Sequence, residues 1–201
     1  MVDGMSGIRT QKAELRAQIL RARRELTADE RQDAARALTE RVRGLPECAD
    51  RGTVAAYVSM GAEPGTGPLI EALQEAGNRV LLPVLLPDND LDWADYRGPG
   101  ALVRTGRGLF EPTGPRLGPD AVAQAQLVLL PGLAVDAQGV RLGRGGGSYD
   151  RVLARIRLAA TRPALVVLLY AHEVVASVPS EPHDHLVDAA LTPAGVHRFR
   201  P

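Results

Sequence analysis

A chain of 201 residues with 45% apolar side chains holds enough material for one domain built on a single core. Its 24 basic and 24 acidic residues cancel, so composition gives no ground for a nucleic-acid or membrane-surface partner. The single cysteine, Cys48, excludes an intramolecular disulfide and fits a reducing compartment; with no apolar run of about 18 residues and a charged start, the expectation is a soluble cytoplasmic protein.

Residues 1–7 read as a disordered start. From Ile8 to Glu25, Leu15, Ile19, Ala22 and Leu26 recur at helical spacing, which predicts an amphipathic helix with Arg21, Arg23 and Arg24 on its outer, solvated side. Lys12, on this helix, is the sole lysine of the chain. Thr27 to Glu30 has the Thr-x-x-Glu form of a capping box and opens a second helix with Ala35, Leu38, Val42 and Leu45 on one face. A nucleophilic Cys48 would need a histidine partner and a lowered pKa, which its place after Pro46 and Glu47 disfavours.

Thr53 to Ser59, rich in β-branched residues and alanine, predicts the first core strand, and Met60 to Gly67 a loop too rich in glycine to continue it. Pro68 and Gly77 bracket a short helix, Pro68 to Ala76. Strands follow over Arg79 to Val84 and, near an edge, Leu91 to Tyr96, where Trp93 belongs to the core or a pocket wall. Gly98 to Pro119 is the longest irregular region. Asp120 to Gln126 leads into the apolar strand Leu127 to Leu130; Ala164 to Tyr170 predicts a strand covered on both faces, and Ala189 to Thr192 a last short one. The alternation predicts one α/β domain over residues 1–201, a three-layer α/β/α arrangement with a mostly parallel sheet and Rossmann-like topology. Ligands of such sheets sit beyond the carboxyl ends of the strands, where the loops after Ser59 and Leu130 meet.

The most informative stretch is Arg141-Leu142-Gly143-Arg144-Gly145-Gly146-Gly147-Ser148-Tyr149-Asp150-Arg151, a glycine turn that runs into a helix from Tyr149 to about Leu158. Glycines let backbone N–H groups approach a ligand closely, and a helix start adds unpaired N–H groups and a positive dipole end; both favour phosphate. Arg141, Arg144 and Arg151 add guanidinium forks, and Asp150 suits a hard cation such as magnesium. A dinucleotide fingerprint fails at Ser148, and the absence of lysine here removes the P-loop. His183, Asp184 and His185 place two histidines close together, but no third soft ligand for zinc is nearby.

Together with Pro131-Gly132-Leu133-Ala134, Asp136 and Gly139, this stretch resembles the signature of the 5-formyltetrahydrofolate cyclo-ligases, also called methenyltetrahydrofolate synthetases. Ser148 departs from it, since many members carry an aromatic there. The resemblance implies an ATP- and magnesium-dependent conversion of 5-formyltetrahydrofolate to 5,10-methenyltetrahydrofolate, with ADP and phosphate released after phosphorylation of the formyl oxygen and ring closure. Lys12 and Arg16 stand at the family's Lys-x-x-x-Arg spacing, one face of a helix, and would touch ATP. With them the resemblance assigns Arg141, Leu142, Gly143, Arg144, Gly145, Gly146, Gly147, Ser148 and Tyr149 to ATP. It assigns Val58, Met60, Glu63, Arg144, Gly147 and Ser148 to the folate, and Arg144, Lys12 and Glu63 to catalysis. Asp150 and Asp184 are implied as magnesium ligands, with Asp188 an alternative to Asp184. The segment Gly108 to Pro112 resembles a family Glu-Pro motif, with Glu111 as a structural acid. The implied partners are folate and ATP, with no nucleic acid or membrane, in a monomer or weak homo-oligomer. The alternative is a non-catalytic folate-, nucleotide- or RNA-binding module of the same fold, which has no need to keep Lys12, Arg16, Glu63, Arg144 and Asp150 together. A dehydrogenase is disfavoured by Ser148 and by the lack of an acidic ribose partner.

Overall fold

Two helices precede the first strand in the computed structural model, which describes residues 3–181 and 184–199, with side chains from residue 7 onward. α1 (Asp3–Glu25) begins before the expected Ile8, since nothing between Asp3 and Gly7 forbids helical dihedrals. α2 (Ala28–Val42) starts at the predicted capping box: Thr27 Oγ1 accepts from the Glu30 amide, and Glu30 accepts from the Thr27 amide. Its Ala35, Leu38 and Val42 are buried as the spacing predicts.

The chain then enters β1 (Thr53–Ala55), α3 (Gly67–Glu75), β2 (Arg79–Leu85) and β3 (Leu91–Asp95). β1 is shorter than the predicted strand, because only Ala56 beyond it still pairs, through its amide to Leu81 O. The region expected to be irregular instead folds part of its length into an antiparallel hairpin, β4 (Leu102–Arg104) with β5 (Phe110–Pro112). β6 (Leu127–Pro131) follows, then a second hairpin, β7 (Ala134–Val135) with β8 (Arg141–Leu142), and α4 (Ser148–Leu158). β9 (Ala164–Leu168) starts as predicted and ends two residues before the expected Tyr170, β10 (Ala189–Thr192) matches the prediction, and β11 (Gly195–Arg198) returns antiparallel and extends the sheet by a strand.

The seven-stranded sheet has the order β11-β10-β9-β6-β1-β2-β3. Neighbours from β10 through β2 are parallel, and the two edge strands are antiparallel. Alternate residues of each strand feed opposite cores. Val54, Leu127, Leu129 and Val166 pack with Leu38 of α2 and Leu69 of α3, whereas Ala55, Val128, Leu130 and Val167 pack with Val152 and Ile156 of α4. That alternation makes the three layers. Trp93 is fully buried in the α4-side core. A third cluster, in which Ile19 of α1 meets Leu133, Ala134, Val140 and Leu142, seats the first helix on the β7–β8 hairpin.

Cys48 is buried in the α2-side core, and burial pushes its thiol up to about 11. The folded chain is therefore expected to resist alkylation at pH 8 and to label fully in denaturant, as counted by mass spectrometry; fast labelling of the native state would contradict a buried thiol.

Candidate active site

β1 leads through α3 to β2 on one side, while β6 leads through the β7–β8 hairpin and α4 to β9 on the other. The chain thus diverges between β1 and β6, and a crevice opens beyond the carboxyl ends of these strands. A cavity of about 270 Å³ occupies it. Tyr57, Val58, Met60 and Glu63, which follow β1, line one wall; Pro131 and Gly132, at the end of β6, line the floor; Gly143 to Asp150 form the rim.

The turn has the backbone that a phosphate cradle needs. Gly145 and Gly147 adopt φ of 92° and 79°, which L side chains rarely reach. Gly147 is the N-cap of α4 in left-handed conformation, and no described side chain caps this end. The first amides of α4, from Ser148, are therefore donors without a helical acceptor, next to the positive end of the helix dipole.

Arg141 lies beneath the turn rather than in solvent, its side chain 5% exposed. Nη1 donates to Pro131 O at 2.9 Å and Nη2 to Asp150 Oδ1 at 3.0 Å, while the buried Nε has no partner among the described residues. A β-carbon on Gly143 would stand 2.9 Å from Nη1, so the turn rests on the guanidinium. Burial draws the Arg141 pKa down, against the pull of Asp150. A desolvated cation beside unpaired backbone donors is the chemistry that favours an anion.

Arg144 points the other way. Its Nε meets Glu63 Oε1 at 3.1 Å, with the arginine side chain 53% exposed and the carboxylate 10%. The second oxygen of Glu63 accepts from the Met60 amide at 2.8 Å, which fixes the carboxylate in the cavity wall. Tyr149 also lines the cavity; its hydroxyl is buried without a partner among the described residues, and burial together with the charge of Glu63 holds the phenol well above its usual range.

α1 packs against the β7–β8 hairpin behind this turn, and neither Lys12 nor Arg16 lines the cavity. Arg16 Nε donates to Gly143 O at 2.9 Å, so it braces the turn. Lys12 is buried, with Nζ 2.7 Å from Asp184 and 3.1 Å from Glu181. Desolvation alone would lower its pKa, but the hydrogen bonds to Asp184 and Glu181 outweigh that and leave it raised. Positions 12, 16, 19 and 23 share one helix face, and this explains a correction: Arg23, expected in solvent, is 1% exposed. Its Nε and Nη2 donate to Glu173 at 2.7 and 2.9 Å, Nη2 also donates to Gly132 O at 2.7 Å, and the guanidinium lies 5.7 Å from the Tyr170 ring centre. The apolar pattern missed it because the buried stripe is itself charged.

Other expected site residues fall differently. Leu142 is buried in the cluster under α1 and does not line the cavity. Asp188 takes the Leu165 amide at 2.8 Å near the start of β9, at the opposite end of the sheet, which removes it as a metal ligand. Asp150, 65% exposed, answers Arg141, and Asp184 answers Lys12. Among the described residues no cluster of three or more His, Cys, Asp or Glu is poised to hold a metal. His185 is half-buried, and burial lowers its pKa; His183 lies outside the described residues. Glu111 is structural as expected, accepting the Leu85 amide at 3.0 Å, yet it also borders the cavity. Sequence reasoning missed Tyr57, Leu109 and Phe110 as cavity residues. Leu109 and Phe110 stood inside the Glu-Pro segment already singled out, and that was the available signal.

Residues 8–193 match the 5-formyltetrahydrofolate cyclo-ligase family. The 5-formyltetrahydrofolate cyclo-ligase of Mycolicibacterium smegmatis is 41% identical over 187 residues, covering 90% of this chain and 93% of its own length. That of Escherichia coli K12 is 34% identical, covering 89% and 98%. The NMR structure of Aquifex aeolicus 5,10-methenyltetrahydrofolate synthetase aligns with a TM-score of 0.81 at 28% identity, over 94% of this chain and 93% of that one. No helix among the described residues is long and apolar enough to cross a membrane.

Proposed function

The chain belongs to the 5-formyltetrahydrofolate cyclo-ligase family, and from that premise we propose how its crevice performs the ATP-dependent conversion of 5-formyltetrahydrofolate to 5,10-methenyltetrahydrofolate. The observation that carries the assignment of roles is the ion pair between Arg144 and Glu63. One guanidinium borders both the carboxylate suited to a pterin and the turn suited to phosphate. A phosphoryl group passing from ATP to the formyl oxygen has to cross that junction.

The chemistry explains the need for ATP. A formamide carbon is a poor electrophile and its oxygen a poor leaving group. Phosphorylating the oxygen leaves an iminium-like carbon, on which the second folate nitrogen closes the ring as phosphate departs. Phosphoryl transfer asks the protein chiefly for positioning and charge stabilisation. Glu63, held by the Met60 amide, accepts N–H donors of the pterin between Val58 and Met60. The amides from Gly143 to Tyr149 cradle the phosphates over Arg141, and Arg16 holds the turn in shape. Lys12 sits among carboxylates with which a phosphate chain competes for its ammonium.

Magnesium takes few protein ligands and completes its shell with phosphate and water. Asp150 beside the turn and Asp184 beside Lys12 fit that chemistry as two separate carboxylates. When bound, the ion supplies neutralisation of phosphate charge. Asp150→Asn and Asp184→Asn are each expected to raise the half-saturating magnesium concentration by at least about tenfold, the scale of effects at metal-site partners. A titration of rate against magnesium checks it, and an unchanged curve removes that residue from the ligand set.

The direct test mixes the protein with 5-formyltetrahydrofolate, ATP and magnesium and follows methenyl absorbance and ADP together. Equal appearance of both is expected. ADP without methenyl product would mean a different acceptor, and neither product would return the site to a binding role.

A further inference from the structure

One end of the cavity is used by none of these roles. Pro83 and Leu85 at the end of β2, Leu91 at the start of β3, and Leu109 and Phe110 of the β4–β5 hairpin line it with hydrocarbon. The hairpin stands outside the seven-stranded sheet. It is fastened to the site by buried Glu111, whose Oε1 takes the Leu85 amide at 3.0 Å, so the adjacent ring of Phe110 is held at the lip by the end of β2.

Phe110 is 45% exposed, a large apolar surface left open beside the cavity. Among the described residues, three aromatic side chains line this cavity: Tyr57, Phe110 and Tyr149. Tyr57 is buried and the Tyr149 hydroxyl is enclosed, whereas the phenyl of Phe110 offers its surface to solvent. The turn from Gly143 to Ser148 contains no aromatic.

A folate has three parts with different demands. The pterin needs polar partners at its N–H edge, the glutamate stays charged, and the aryl ring between them is flat and apolar. Resting on the reading of the site given above, we infer that Phe110, with Leu109 beside it, forms the face that receives this aryl ring. The ring is bonded to the nitrogen that closes the product, so the contact also orients the attacking atom. Offset or edge-on packing of two aromatic rings fits an exposed phenyl better than a polar wall does.

The test compares two ligands on wild type and on Phe110→Ala, by competition binding and steady-state kinetics. One is 5-formyltetrahydrofolate; the other is 5-formyl-6-methyltetrahydropterin, which lacks the aryl ring and the glutamate. In Phe110→Ala, affinity for the full folate is expected to fall about tenfold, from lost burial and ring packing. Affinity for the truncated pterin and KM for ATP are expected to hold, and Phe110→Tyr is expected to retain folate affinity. An unchanged melting temperature is expected, since the ring is exposed. An equal loss for both ligands would place Phe110 against the pterin and overturn the inference, as would no loss for either. A wild-type protein that fails to convert 5-formyltetrahydrofolate would defeat the functional reading itself, a result separable from either variant outcome.

Discussion

Arg144→Ala is expected to lower kcat by about 10² to 10³, the usual cost of removing one preorganised stabiliser of transition-state charge, while KM for ATP changes little. In the resting chain this guanidinium is half-exposed and paired with Glu63, so it invests little in ground-state nucleotide binding. In transfer, charge spreads over the equatorial oxygens of the phosphoryl group, which then competes with Glu63 for the same fork. An interaction made mostly in the transition state appears in kcat rather than KM. Arg144→Lys keeps a charge but loses the fork, and an intermediate loss is expected. Initial rates with each substrate varied check it. A rise in KM for ATP matching the fall in kcat/KM would instead make Arg144 a nucleotide-binding residue.

The same pair marks what was legible from sequence. The family resemblance assigns Gly143 to Ser148, Glu63, Val58 and Met60 to the site, the rule that sites form beyond strand ends sets Glu63 and the glycine turn at one crevice, and the chain brings all of them around one cavity. The alternation of apolar strands and helices likewise carried the layering, because a strand covered on both faces has a simple pattern, as in β9. What escaped were features that depend on partners far along the chain. Leu142 reads as part of the phosphate signature, but its neighbours in space are Ile19 and Leu133. Asp188 reads as a substitute for Asp184 four positions away, yet the intervening segment carries it to the far end of the sheet. β11 was invisible because Gly195 to Arg198 lacks an apolar alternation, and its pairing with β10 supplies the order instead. The clearest miss is Arg23, where residue type argued for solvent and only the face shared with Lys12, Arg16 and Ile19 argued against it.

Arg23 therefore carries a large expected effect on stability. Arg23→Ala would leave the fully buried Glu173 with only His172, 3.9 Å away, beside its charge and would strip the acceptor Gly132 O of its donor. Breaking a buried pair from one side costs about 3–5 kcal/mol. For a chain of this length that lowers the melting temperature by roughly 6–20 °C. Arg23→Met with Glu173→Met removes both charges at similar volume and is expected to recover part of that loss, because desolvation of the pair offsets much of its attraction while Gly132 O and the Tyr170 amide stay without their partners. The recovered protein is where stability and positioning separate. Glu173 also takes the Tyr170 amide at 3.0 Å, and Tyr170 Oη reaches Ala62 O at 3.4 Å beside Glu63, so the pair joins α1 to the loops that shape the crevice. If it sets the seat of α1, the stable double variant still shows a raised KM for ATP, because Lys12 and Arg16 lie on the same helix face about 10–16 Å further along the axis. Thermal unfolding and ATP-dependent kinetics on the three proteins decide it. A double variant with wild-type KM would leave the pair a matter of stability alone, and a single Arg23→Ala variant as stable as wild type would contradict the buried charge.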